Sequence, residues 1–130
     1  MRPQPADLRA VPLFGALTDE ELRQIAGWFE IRTADSGKRL TSEGSSGYSF
    51  FVIQEGTADV RQGDTVIRTL GPGDFFGEVA ILDSGRRTAD VVASSDVQLL
   101  AINGLDFRLL QSQFPAVSER IEKAAEERTG

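Results

Sequence analysis

The chain has 130 residues, of which 40% are hydrophobic and 26% are charged, a composition that is ordinary for one globular domain. Its formal net charge is −6 and its twelve arginines are scattered, so it lacks the broad basic surface that direct nucleic-acid binding requires. Because it contains no cysteine and no histidine, it can form no disulfide, no thiolate site and no histidine-dependent triad, and it lacks the usual zinc ligands.

No apolar run approaches the roughly 20 residues needed to span a bilayer, and the start at residues 1–5 does not resemble a signal peptide. We therefore expect a cytoplasmic location, or a place in the cytoplasmic part of a membrane protein whose anchor lies elsewhere. We expect residues 1–11 to form a lead-in with a helical turn near Ala6–Ala10, and residues 12–130 to form one domain.

The first helix is predicted from about Asp19 to Trp28. Thr18 and Glu21 have the spacing of a capping box, in which each side chain accepts a hydrogen bond from the other residue's backbone N–H. The apolar residues that follow recur at helical spacing: Leu22, Ile25, Ala26 and Phe29.

From Phe29 onward the pattern predicts about seven short strands, because apolar residues alternate and turn residues separate the segments. The predicted strands are Glu30–Thr33, Arg39–Ser42, Tyr48–Gln54, Thr57–Arg61, Thr65–Leu70, Ala89–Ala93 and Val97–Ile102. Gly63-Asp64 predicts a two-residue hairpin and Gly71-Pro72-Gly73 a further turn. Such a series favours an antiparallel β jelly-roll barrel.

Two helices are predicted after the strands. Asn103 can cap the first of them, for which Leu105, Leu109 and Leu110 are expected to form the apolar stripe. Pro115 is expected to end that helix and to begin the last one. One face of the last helix is formed by Val117, Ile121, Ala124 and Arg128. The predicted fold class is therefore mostly β, with one N-terminal and two C-terminal helices around the barrel.

The segment from Gly73 to Thr88 carries the chemistry. A single helical turn over residues 79–82 would offer free N–H groups and a positive dipole end, and Gly77 would let the backbone approach a ligand. Arg87 offers a planar fork that matches phosphate oxygens, and Glu78 can accept a hydrogen bond from a sugar hydroxyl. This combination points to a small ligand with a sugar and a single phosphate.

The run from Phe76 to Ala89 resembles the phosphate-binding cassette of cyclic nucleotide-binding domains. That family includes the catabolite activator protein, the regulatory subunits of protein kinase A and cyclic nucleotide-gated channels. Glu43–Gly56 is similar to the family's turn and strand before the cassette, and Asp106–Leu110 followed by Pro115 is similar to its penultimate helix. The resemblance covers residues 12–128.

The resemblance implies that Glu78 binds the ribose 2′-hydroxyl and that Arg87 binds the cyclic phosphate. It also implies that the backbone of Gly77 and Ala80 lines the ligand, and that Thr88 with Ala89 adds phosphate or base contacts. The full set of ligand residues it implies is Phe76, Gly77, Glu78, Val79, Ala80, Arg87, Thr88, Ala89, Val60, Val66 and Arg128.

The ligand that the resemblance implies is cAMP, or else cGMP, because a Thr88 hydroxyl can bond a guanine amino group. The base would rest near Val60 and Val66 under the last helix, with Ile121, Ala125 or Arg128 supplying the covering contact. That helix would pass the signal to an effector domain or protein, and it could also form a homodimer. We expect no catalytic residue and no metal.

Two departures from the family pattern stand out. Arg86 replaces the proline that many relatives carry, and no helix-turn-helix segment follows the last helix. Three other readings stay open on the sequence. One is a degenerate domain that keeps the fold as an interaction scaffold without a nucleotide. Another is a small jelly-roll enzyme, whose metal would ordinarily need the histidines that this chain lacks. A hydrolase with paired carboxylates also stays open, although no pair stands out among the 20 acidic residues.

Overall fold

A computed structural model describes residues 2–41, 49–77 and 90–129. The helices in this part of the chain are α1 (Pro5–Arg9), α2 (Asp19–Ala26), α3 (Gly104–Gln113) and α4 (Pro115–Thr129), with a 3₁₀ turn at Pro12–Phe14. The strands are β1 (Glu30–Ala34), β2 (Arg39–Thr41), β3 (Ser49–Glu55), β4 (Ala58–Gln62), β5 (Thr65–Leu70), β6 (Phe75–Phe76), β7 (Asp90–Ala93) and β8 (Val97–Asn103). The predicted strands agree with these to within a residue or so at each end, and β6 was not predicted.

The strands form two antiparallel four-stranded sheets, in the orders β1-β8-β3-β6 and β2-β7-β4-β5. Residues of the first sheet pack in two separate hydrophobic clusters, one shared with the helices and the other shared with the second sheet. The first sheet therefore lies between the second sheet and the helices. The predicted jelly-roll architecture with flanking helices is confirmed.

Strands β3 and β8 explain why the layers form. Phe50 and Val52 pack in the cluster with the helices, whereas Phe51 and Ile53 pack between the sheets. Successive side chains of a strand point to opposite faces, so a strand buried on both faces needs a continuous apolar run. The Phe50–Ile53 segment supplies that run.

The predicted capping box of α2 is confirmed. Thr18 Oγ1 accepts from the Glu21 N–H at 3.2 Å, and Glu21 Oε1 accepts from the Thr18 N–H at 2.9 Å. The helix ends at Ala26 rather than Trp28, because the Trp28 N–H bonds the Ile25 carbonyl and tightens the last turn.

The predicted turns and helix boundaries that follow the strands are also found. Gly63, with φ of 60°, lies in the two residues between β4 and β5. The Asp74 N–H bonds the Gly71 carbonyl at 3.0 Å across the predicted turn. Asn103 Oδ1 accepts from the Asp106 N–H at 2.8 Å, and Pro115 begins α4.

The predicted apolar stripe of α3 was partly wrong. Leu105 is 85% exposed and Leu109 is 38% exposed, whereas Phe107 and Leu110 are fully buried. Phe107, Leu110 and the following Phe114 are spaced by three and four residues, so they share the face that meets the core. The leucine pattern alone selected a stripe rotated away from that face.

Helix α4 buries the first half of its predicted face, because Val117 and Ile121 are 2% and 0% exposed. Helix α1 also belongs to the packed structure. Leu8 and Val11 lie in the same cluster as the core of α2 and α3. The division of the chain at residues 11 and 12 stays a prediction.

Candidate ligand-binding site

Strand β6 brings the chain to the start of the predicted cassette. Phe76 pairs with Phe51 of β3, and their rings stack with centroids 5.0 Å apart. Phe75 points to the other face, where its ring lies 5.4 Å from that of Phe50. The two-residue strand is therefore held by aromatic contacts on both of its faces, which explains why so short a segment keeps its place.

Gly77 follows β6 with a φ of 96°. This backbone conformation favours glycine, and other residues adopt it only at a cost of about 1–3 kcal/mol. The sequence suggested a glycine here for close approach to a ligand, and the structure adds a conformational requirement. Gly77 is thus the point where the chain turns out of the first sheet into residues 78–89.

The chain returns to the described structure at Asp90, in the second sheet. Strand β7 starts there and pairs with both β2 and β4. Val91 lies opposite Val60. Residues 78–89 therefore connect the edge strand of one sheet to an inner strand of the other, and Asp90, which follows them, lies opposite Arg61, the neighbour of Val60 in β4.

Only part of the predicted ligand set falls in the described structure. Phe76 is buried between the sheets, Val60 packs partly buried against the same cluster, and Gly77 and Val66 are described. The residues predicted to bind sugar and phosphate lie outside the described part: Glu78, Val79, Ala80, Arg87, Thr88 and Ala89. Arg128 belongs to α4, and its side chain also lies outside that part. The site assignment as a whole stays a prediction.

Val60 and Val66, which are both predicted to contact the base of the nucleotide, do not lie opposite one another in the sheet. A β-bulge between β4 and β5 places Arg68 opposite Val60 and Val66 opposite Arg61. Residues directly opposite each other share a face, so Arg68 joins Val60 on the inner face while Val66, 47% exposed, joins Arg61 on the outer one. Sequence alternation alone could not reveal this shift, because nothing in the run Thr65–Leu70 marks the bulge.

Two grooves on the described part of the chain lie away from these residues. One, of about 200 Å³, is lined by the 3₁₀ turn, the start of α2 and the α3–α4 junction. The other, of about 420 Å³, lies between the α1 region, the end of β3 and the turn that joins β5 to β6. Neither contains a predicted ligand residue.

Among the described residues no group of three acidic side chains is arranged to hold a metal ion. None of the described helices is both long enough and apolar enough to span a bilayer.

Comparison with known proteins gives an independent assignment. Residues 31–113 match the family model of the cyclic nucleotide-binding domain. The chain is 37% identical over 121 residues to a cyclic nucleotide-gated potassium channel of Rhizobium etli, covering 93% of this chain and 34% of the channel. It is 34% identical over 115 residues to a cAMP-dependent protein kinase regulatory subunit of Colletotrichum orbiculare, covering 87% of this chain and 29% of that subunit.

Among solved structures, the regulatory domain of Toxoplasma gondii PKA in co-crystals with cAMP matches with a TM-score of 0.82 at 21% identity. That match covers 95% of this chain and 49% of the other, and at this identity it supports the fold alone. The chain spans about a third of the length of the channel and kinase relatives. Since the family model covers most of the chain and the described fold agrees with it, the chain belongs to the cyclic nucleotide-binding domain family.

Proposed function

We propose that the chain is a regulatory sensor that binds cAMP, with cGMP as the second candidate ligand, and that it acts on an effector rather than catalysing a reaction. The proposal rests on the described residues that come directly before and directly after residues 78–89. This segment begins after Gly77, whose φ is 96°, and ends before Asp90, which lies opposite Arg61 and next to the Val60–Val91 pair. Glu78, Arg87 and Thr88, the residues suited to a ribose and a phosphate, all lie within this connection.

Arg87 is the proposed phosphate ligand and Glu78 the proposed ligand of the ribose 2′-hydroxyl. An arginine fork binds two phosphate oxygens at once, and a carboxylate so close to a phosphate is tolerated only when it is directed at another group. A charge-assisted hydrogen bond contributes about 1.5–3 kcal/mol. Loss of the 2′-hydroxyl should therefore weaken binding measurably.

A thermal-shift panel tests the ligand class. If cAMP binds only the folded chain, a concentration of 100 times its dissociation constant should stabilise the fold by about 2.7 kcal/mol. For a domain of this size that corresponds to a rise in melting temperature of roughly 10 °C. Linear AMP is the matched control, because it has the same base and sugar without the cyclic phosphate. Cyclic GMP and cyclic dinucleotides complete the panel.

A panel in which no purine 3′,5′-cyclic monophosphate raises the melting temperature would contradict the proposal and favour the ligand-free scaffold. Equal shifts with cAMP and cGMP would support a role for Thr88 in accepting guanine. A shift with linear AMP as large as that with cAMP would instead indicate a general nucleotide site.

The proposed relay runs through α4. Its first half is anchored, because Val117 and Ile121 are buried and Arg120 Nη1 donates to the Pro12 carbonyl at 3.0 Å. A helix fixed at its start can change its packing further along without unfolding the domain. We propose that ligand binding draws the later part of α4 over the base, and that the effector senses this movement.

Hydrogen exchange of α4 with and without cAMP tests the relay. Amides after Ile121 are expected to exchange more slowly in the complex, whereas those of α2 should change little. Identical exchange along α4 in the two states would contradict the relay and leave the binding proposal standing. Three further points concern the whole protein and are also proposals. They are the action on an effector, the location in the cell and a dimer formed through α4.

A further inference from the structure

The outer face of the sheet β2-β7-β4-β5 carries charges of alternating sign. Asp90 on β7 lies opposite Arg61 on β4. Val91 and Ala93, which alternate with Asp90 along β7, are 5% and 1% exposed and pack between the sheets. Because neighbours along a strand face opposite ways and paired residues share a face, Asp90 and Arg61 lie together on the outer face.

Four residues on this face form what we call the charged ladder: Arg39, Asp90, Arg61 and Asp59. Arg39 Nη2 lies 3.8 Å from Asp90 Oδ2, and Arg61 Nη2 lies 3.8 Å from Asp59 Oδ2. The ladder crosses β2, β7 and β4, and Thr69 Oγ1 of β5 extends it by donating to Asp59 Oδ1 at 3.0 Å. The side chains of Asp90 and Asp59 are only 18% and 19% exposed, against 61% and 42% for Arg39 and Arg61.

Asp59 and Asp90 differ in the segments of chain that adjoin them. Asp59 lies inside β4, with structure described on both sides of it. Asp90 is the first residue of β7 and follows directly on residues 78–89. Arg87 precedes it by three residues, and three extended residues span at most about 11 Å. Whatever fixes Asp90 therefore limits where Arg87 and Thr88 can lie.

We propose that Asp90 is a positioning residue for ligand binding. Its carboxylate, paired with Arg39 and lying opposite Arg61, fixes the first residue of β7 on the sheet. It thereby limits how far from the start of β7 the preceding chain, which carries Arg87 and Thr88, can lie. This inference rests on the proposed function, because it assigns a role at the same ligand site. Asp90 touches no ligand in this proposal and acts only through the backbone that follows Arg87.

Asp90→Asn distinguishes a positioning role from a purely electrostatic one, because the two roles change the affinity for cAMP in opposite directions. A cyclic nucleotide is an anion, so deleting a nearby negative charge without any structural change would tighten its binding. Loss of positioning has the opposite effect. We expect the dissociation constant of cAMP, measured by calorimetry at one ionic strength, to rise by more than about twofold and by at most about fivefold, since a partly exposed ion pair contributes at most about 1 kcal/mol.

Asp59→Asn is the matched control. It removes the same charge from the same face at the same exposure, and it breaks an ion pair of the same length. Because Asp59 does not adjoin residues 78–89, its variant should bind cAMP within about twofold of wild type or slightly more tightly. Melting temperatures of the two variants should be similar, so a difference in affinity cannot come from stability alone.

Amide hydrogen exchange of the ligand-free protein supplies a second readout. Peptides covering residues 87–92 should exchange faster in Asp90→Asn than in Asp59→Asn. Affinity for cAMP that is unchanged or tighter in Asp90→Asn overturns the proposal, as does equal exchange in the two variants. If the wild-type chain binds neither cAMP nor cGMP, the proposed function fails, and the ligand role of Asp90 fails with it. That outcome is seen in the wild-type titration and is thus distinct from a failure of the variant.

Discussion

Arg87→Ala is expected to weaken cAMP binding at least tenfold while leaving the melting temperature of the empty domain nearly unchanged. Tenfold corresponds to about 1.4 kcal/mol, and one charge-assisted hydrogen bond contributes about 1.5–3 kcal/mol. Because an arginine fork can form two such bonds with a phosphate, tenfold is the lower bound. Titration calorimetry gives the affinity, and thermal unfolding without ligand gives the stability.

Arg86→Ala is the matched control for that experiment. It removes the same charge from the neighbouring position, so it reproduces any loss of long-range attraction for the anionic ligand without removing the proposed contact. We expect a change of less than about threefold. Arg87→Lys should fall between the two, since lysine keeps the charge but lacks the planar fork. If Arg87→Ala binds cAMP as the wild type does, the phosphate assignment is wrong.

Gly56→Ala is expected to destabilise the fold by about 2–6 kcal/mol, from backbone strain and overpacking together. Gly56 has a φ of 90°, and a Cβ added there would lie 2.2 Å from the backbone oxygen of Asp96. A backbone carbonyl in the short connection between β7 and β8 cannot rotate away as a flexible side chain can. The loss is a large share of the roughly 5–15 kcal/mol that stabilises a typical domain. Urea unfolding followed by circular dichroism measures it.

Gly37→Ala separates the two contributions. Gly37 has a φ of 91°, almost the same as Gly56, but an added Cβ would meet no atom within 4 Å. This variant should show the strain alone, about 1–3 kcal/mol. A free energy of unfolding that falls equally in both variants would mean that the contact with Asp96 costs nothing. If Gly56→Ala does not fold at all, the folded Gly37→Ala still shows that strain of this kind is tolerated.

Local patterns were sufficient for most of the fold. The capping box at Thr18 and Glu21, the cap at Asn103 and the Gly63-Asp64 hairpin depend on residues close together in the chain, and each was found as predicted. Strand β6 was missed because two residues carry no period. Phe75 and Phe76 form a strand only because β3 lies beside them, and β3 is distant in sequence.

The candidate site was likewise predictable from the sequence only in part. Glu78, Arg87 and Thr88 were selected from residue types and spacing that resemble a known cassette, and their roles stay predictions. The sequence could not show that Val60 has Arg68 rather than Val66 as its cross-strand neighbour, because the β-bulge depends on how two strands pair. Nor could it single out Asp90, whose partner Arg39 comes from a strand far along the chain.

By itself, then, the amino-acid sequence determined the family, the order of the main helices and of every described strand except β6, and the candidate ligand residues, because these follow from periodicity, caps, turns and a local motif. Only the tertiary structure decided which face of α3 meets the core, where the bulge lies and which charges form the ladder. Those features depend on residues that are brought together across sheets and layers. Their side chains make contact only after the chain has folded, so no short window of sequence encodes them.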